Sequence, residues 1–114
     1  MIVANVLGHR RQYIIYDDNG NTWFQSYCTL MAVVNDGCLE IKTNFWSVTT
    51  AKHMSEFLKV THMMDAVKAL IKHKVFKNMK DFMYRCKSIK VTPYEYSCVY
   101  ITTEGEETRF DLGL

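Results

Sequence analysis

Histidine, cysteine, lysine and aromatic side chains are the groups of this chain that could do chemistry, and their spacing decides how much they can do. His53 stands beside Lys52, with Glu56 three residues further on. An imidazole titrates near neutral pH and could move a proton. A catalytic base needs a positioned partner, however, and no nucleophile lies at a suggestive spacing, so His53 reads as a surface or helix-capping histidine. His62 and His73 are eleven residues apart, three turns along nearly one face of a helical segment, which is too far to share a metal ion. Cys28, Cys38, Cys86 and Cys98 form no CxxC pair and have no histidine at zinc-finger spacing, so free buried thiols are expected. These residues imply no metal, no cofactor and no catalytic residue, and hence no enzyme.

The cations are more informative. Lys68, Lys72, Lys74, Lys77, Lys80, Arg85, Lys87 and Lys90 face one acid, Asp81, whereas from Val91 onward Glu95, Glu104, Glu106, Glu107 and Asp111 outweigh Arg109. The set from Lys68 to Lys87 could track a phosphate backbone or an acidic protein surface, with Phe76, Phe82 and Tyr84 interleaved for stacking on bases. The same pattern suits the solvated side of helices whose lysine stems cover apolar surface, with Phe76 and Phe82 in the core. Basic middle and acidic tail could also attract each other. A net charge of +2 falls short of a dedicated nucleic-acid binder and excludes an acidic mimic of DNA.

A second candidate surface is aromatic. Tyr16, Trp23, Tyr27 and Trp46 are of the types enriched at interface hot spots, and with two Trp, seven Tyr and six Phe a chain this small cannot hide every ring. Most of them sit in a hairpin. Gln12 to Asp17 and Thr22 to Tyr27 flank Asp18-Asn19-Gly20-Asn21, and Asn-Gly is the strongest short signal for a two-residue type I′ turn. That turn would set Tyr16 opposite Trp23 and Ile15 opposite Phe24, placing aromatics on both faces.

The remaining elements follow from period. Residues 2 to 7 read as a strand ending at Gly8, and Asn35-Asp36-Gly37 joins Thr29–Val34 to Cys38–Thr43 as a second hairpin. Phe45, Trp46 and Val48 are β-formers, after which Met54, Phe57 and Leu58 recur at i, i+3 and i+4, so the chain turns from strand to helix with Thr49 or Thr50 as N-cap. His62 to Lys74 reads as a second helix, and Asn78 caps a third that contains Phe82 and Met83. Strands return at Ser88–Thr92, Tyr96–Thr103 and Thr108–Leu112. The expected architecture is α+β: residues 1–114 as a single domain, an antiparallel sheet of hairpins and meander with about five to seven strands, and two to three helices packed on one face.

Composition agrees with a folded domain. At 114 residues and 48% apolar content the chain can bury one core. No apolar run approaches the roughly 18 residues of a membrane span, and residues 1 to 7 meet Arg10 and Arg11 too soon for a secretory signal, so a cytoplasmic location is expected.

The run Asp18 to Tyr27 with Thr29, followed by Phe45-Trp46-Ser47-Val48-Thr49-Thr50-Ala51-Lys52-His53 and Phe57-Leu58, resembles a family of small bacteriophage and prophage proteins over the first 60 residues or so. Ala51 stands where that family has Ser. The resemblance implies a phage accessory protein and brings no catalytic residues. With the binding-type residues, it leads to the expectation of a non-enzymatic protein that binds and inhibits a host macromolecule, a host protein or ribonucleoprotein such as a CRISPR-type defence nuclease. The alternative is a nucleic-acid-binding regulator that uses Lys68 to Lys90. Either would work as a monomer or small homo-oligomer, without a membrane.

Overall fold

Residues of alternating polarity build the sheet, and the breaks between them are local. The computed structural model describes residues 2–6, 11–44 and 47–112. Five strands come first: β1 (Ile2–Val6), β2 (Gln12–Tyr16), β3 (Thr22–Ser26), β4 (Thr29–Asn35) and β5 (Cys38–Ile41). Three helices follow, α1 (Val48–Val60), α2 (Met64–Lys72) and α3 (Met79–Arg85), and then β6 (Cys86–Thr92), β7 (Ser97–Thr102) and β8 (Glu107–Asp111). Among the described residues the sheet has eight strands in sequence order, every neighbouring pair antiparallel. The α+β expectation holds, with more strands than the five to seven expected. The helices are one long excursion between neighbouring strands, because β6 returns beside β5 with Ile89 opposite Leu39.

All three helices cover one face. Ile14, Phe24, Ala32, Leu39 and Ile89 of that face pack with Met54, Phe57, Leu58, Val67, Leu70, Phe82 and Met83 of the helices. Phe24 stacks on Phe57 with centroids 5.5 Å apart. Phe76, in the connection between α2 and α3, is fully buried and meets Phe82 and Tyr100 edge-on at 5.4 and 5.8 Å. Each such buried ring stabilises the fold by about 2–3 kcal/mol through the area it removes from water. On the other face Ile15, Trp23, Val33 and Glu40 form a cross-strand row.

Hairpin chemistry explains where the register departs from expectation. Asp36 (φ +50°) and Gly37 (φ +75°) make the two-residue turn expected between β4 and β5. A side chain at Gly37 would also come within 3.3 Å of the Val91 carbonyl. The first hairpin differs. The Asp17 N–H donates to the Asn21 carbonyl (3.0 Å) and only Gly20 (φ +83°) is left-handed, so the loop is Asp18-Asn19-Gly20, three residues long. Tyr16 therefore pairs with Thr22, Ile15 with Trp23 and Ile14 with Phe24, one position from the expected register. That shift puts Tyr16 and Trp23 on opposite faces of the sheet.

The helix ends also have local causes. Ser47, not Thr49 or Thr50, caps α1: its Oγ accepts the Thr50 N–H (3.1 Å), so the helix begins at Val48. α2 is shorter than His62 to Lys74 because both of those residues are left-handed (φ +62° and +65°). His62 ends α1: its N–H donates to the Lys59 carbonyl and the Met63 N–H to the Leu58 carbonyl (3.2 and 2.9 Å). Lys74 ends α2 in the same way, with Lys74 N–H to Ile71 O and Val75 N–H to Leu70 O (3.1 and 2.9 Å). Both are Schellman motifs that use a non-glycine residue at the left-handed position. Asn78 caps α3 as expected, its Oδ1 accepting the Asp81 N–H at 2.9 Å.

A cationic helical face as the candidate functional site

The helices that bury their apolar side against the sheet must turn their polar side to water. In α2 the buried residues are Met64, Ala66, Val67 and Leu70, which leaves Lys68 and Lys72 exposed one turn apart. In α3 the buried residues are Phe82 and Met83, which leaves Lys80 and Tyr84 exposed, again one turn apart. Lys74 and Lys77 are exposed in the connection between these helices, and Lys87 is exposed beside the bulge of β6. Lys90 departs from the group: it neighbours Cys38 and Val99 on the sheet face away from the helices.

The one acid of this region is occupied. Asp81 Oδ2 accepts the Lys77 backbone N–H (2.9 Å) and Nη1 of Arg85 (3.0 Å). The Arg85 guanidinium also lies 5.4 Å over the Phe76 ring, which ties down this cation from two sides. Among the described residues none of Lys68, Lys72, Lys74, Lys77, Lys80 and Lys87 makes an ion pair. Nor does the acidic tail neutralise them. Glu95 pairs with Arg109, while Glu104 and Glu106 line a small depression beside Arg85, where the Thr103 N–H donates to the Arg85 carbonyl (2.9 Å). The six lysines are exposed cations of α2, α3 and the segments beside them, with Asp65 the acid next to Lys68: the two line one shallow depression, without an ion pair between them among the described residues.

Of the three aromatics interleaved with these cations, Phe76 and Phe82 are fully buried and Tyr84 is 40% exposed. Only Tyr84 can meet a partner.

The aromatic set does not come together as one patch. Tyr16 sits on the helix side of the sheet, lining a shallow groove of about 270 Å³ with Thr22, Val34, Thr61 and His62. Trp23 is half-buried on the other face, its indole N–H donating to Asp17 Oδ2 (3.0 Å). That carboxylate also accepts the Asn21 side-chain and backbone N–H groups and the Asn19 N–H (each 2.9 Å). The Trp23 bond first, and then those from Asn21, hold the Asp17 carboxyl at about 2, below its ordinary 3.8. Tyr27 is at the opposite end of β3, half exposed and left-handed (φ +56°), with the Arg11 guanidinium 5.6 Å over its ring. Trp46 lies outside the described residues.

His53 is buried rather than on the surface, at 7% exposure. Phe24 stacks on Phe57 and Thr22 shares the groove with Thr61, so α1 runs counter to β3 and places His53, one turn before Phe57, toward the Ser26 end. Gln12, opposite Ser26, is fully buried there, and its side-chain amide has no hydrogen-bond partner among the described residues. The periodicity that put Met54 and Phe57 in the core held the signal for His53, which shares their side of α1. His62 and His73 flank α2 instead of riding on it, and His73 packs its ring against Phe110. All four cysteines are free. Cys86 and Cys98 are buried and Cys38 half-buried, whereas Cys28 is exposed, against the expectation of buried thiols throughout.

Fold and surface together define an α+β protein with a one-sided helical layer that carries exposed, unpaired lysines. The chain belongs to a family of unknown function, DUF8033, whose model matches residues 3–78. The match spans β1 to α2 and stops at the cap of α3, so Lys80, Tyr84, Arg85 and Lys87 lie beyond it. No curated protein and no solved structure matches the chain. Among the described residues no helix is long and apolar enough to cross a membrane.

Proposed function

We propose that the protein is a non-enzymatic accessory protein that binds a host macromolecule through its cationic helical face and inhibits it. The observation that carries this reading is the set Lys68, Lys72, Lys74, Lys77, Lys80 and Lys87, exposed and without ion pairs among the described residues. Like charges gathered on one layer repel each other, and a polyanionic partner relieves that repulsion and releases its own counterions. A nucleic-acid-guided nuclease of the CRISPR type offers such a partner in its guide RNA, and is the target class proposed. The phage origin rests on the resemblance of the Asp18–Tyr27 run with Thr29, and of Phe45 to His53 with Phe57-Leu58. The protein then acts in the host cytoplasm, as a monomer or small homo-oligomer. Tyr27 is a supporting contact residue: it is half exposed in the two-residue turn between β3 and β4, where its left-handed backbone belongs to the turn.

The experiment is target cleavage by guide-loaded nucleases in the presence of the protein, alongside a Lys68→Glu/Lys72→Glu/Lys80→Glu variant that leaves the core untouched. Inhibition by the parent, lost in the variant, supports the reading. Undiminished cleavage with salt-sensitive binding to free nucleic acid instead promotes a regulator that contacts nucleic acid directly, the reading favoured by the exposed Tyr84.

A further inference from the structure

Lys80 and Tyr84 stand one turn apart on α3, across the helix from the buried Phe82, with Cβ atoms about 6 Å from each other by helix geometry. Lys77 lies in the connection just ahead of the extended Asn78 cap, and the Lys77, Lys80 and Tyr84 side chains are all exposed. We propose that this stripe is a binding site for single-stranded nucleic acid, in which Tyr84 stacks on a base while Lys77 and Lys80 hold the flanking phosphates; it rests on the cationic-face reading above. Two observations select a single strand over a duplex. Tyr84, at the C-terminal end of the set, is exposed in a region whose other rings, Phe76 and Phe82, are entirely in the core, and a stacking ring is useful only where base faces are free. The other planar group, the Arg85 guanidinium, is held over Phe76 and bound to Asp81, which leaves Tyr84 as the one platform of the stripe among the described residues. Stacking is blind to base identity, so the site binds with little sequence preference.

The test is fluorescence anisotropy of the full chain with a labelled 12-nucleotide mixed-sequence RNA and with the duplex of the same sequence, titrated over salt. Parent protein is expected to bind the single strand more tightly than the duplex. Tyr84→Ala is expected to weaken single-strand binding by about tenfold to a hundredfold, the range of one stacked base, and to leave duplex binding and the salt slope unchanged. Tyr84→Phe, which keeps the ring, is expected to keep the affinity. Lys77→Ala/Lys80→Ala is expected to flatten the salt slope by about one to two for either ligand. Equal affinity for both ligands, or a Tyr84→Ala protein that binds the single strand as well as the parent, overturns the inference and leaves the cationic-face reading standing. Binding to neither ligand also overturns the inference, while the cationic-face reading stands or falls by the cleavage experiment. Circular dichroism of each variant separates a lost contact from a lost fold.

Discussion

The Asp17 carboxylate accepts the indole N–H of Trp23 at 3.0 Å, and that bond ties the start of a loop to a ring six residues later on the opposing strand. The same carboxylate collects the N–H groups of Asn19 and Asn21, so one side chain organises the loop and fixes which residues of β2 and β3 face each other. A folded-state carboxyl held at about 2 stabilises the protein fully above its ordinary range near 3.8, and loses that contribution as pH falls through about 2. The Trp23 indole N–H resonance is therefore expected to titrate with a midpoint near 2. A midpoint at the ordinary aspartate value would mean that the bond is not formed in solution.

Ser47 is the second local determinant. Removing its hydroxyl by Ser47→Ala leaves the Thr50 N–H without an acceptor and is expected to cost about 1 kcal/mol in urea unfolding, with Ser47→Asp nearly neutral. A neutral Ser47→Ala would move the start of α1 into the threonines after all.

Burial separates the four thiols. Desolvation pushes Cys86 up to about 12 and Cys98 to about 11, so neither offers thiolate at pH 8, whereas Cys28 is exposed. Native alkylation followed by mass spectrometry is expected to modify Cys28 first, Cys38 more slowly, and Cys86 and Cys98 only after denaturation. Modification of Cys86 at the rate of Cys28 would show the β6 end of the sheet opening under native conditions.

The features legible in the sequence were those decided within a few residues. Asp36-Gly37 and Asn78 each did what their types dictate, because a turn and a cap need only their neighbours. The Asn19-Gly20 hairpin departs from its turn signal by one position, since that signal says nothing of a carboxylate at Asp17 that favours a three-residue loop. The helical period already suits Phe76 and Phe82 to the core and leaves Tyr84 outside, whereas the contact of Phe76 with Tyr100 is beyond pattern, because Tyr100 arrives from a strand that pairs only after the whole helical excursion. The pairing of β5 with β6 was hidden for the same reason. The clustering of the cations is visible in the sequence, while the departure of Lys90 to the far face follows from the β6 pleat.

Lys74 links stability to binding and gives the sharpest test of the two together. It occupies the left-handed position that closes α2, where an L side chain costs about 1–2 kcal/mol that glycine avoids, against about 0.5–1 kcal/mol of extra chain entropy for glycine in the unfolded state. Lys74→Gly is therefore expected to stabilise the fold by about 0.5–1 kcal/mol, and the β-branched Lys74→Val to destabilise it by more than about 1 kcal/mol. Both variants remove the same exposed charge. If that charge serves a polyanion, both weaken binding and flatten its salt dependence by just under one, while their urea midpoints move in opposite directions. Binding that tracked the midpoints instead would mark Lys74 as a residue that shapes the connection, with no contact of its own.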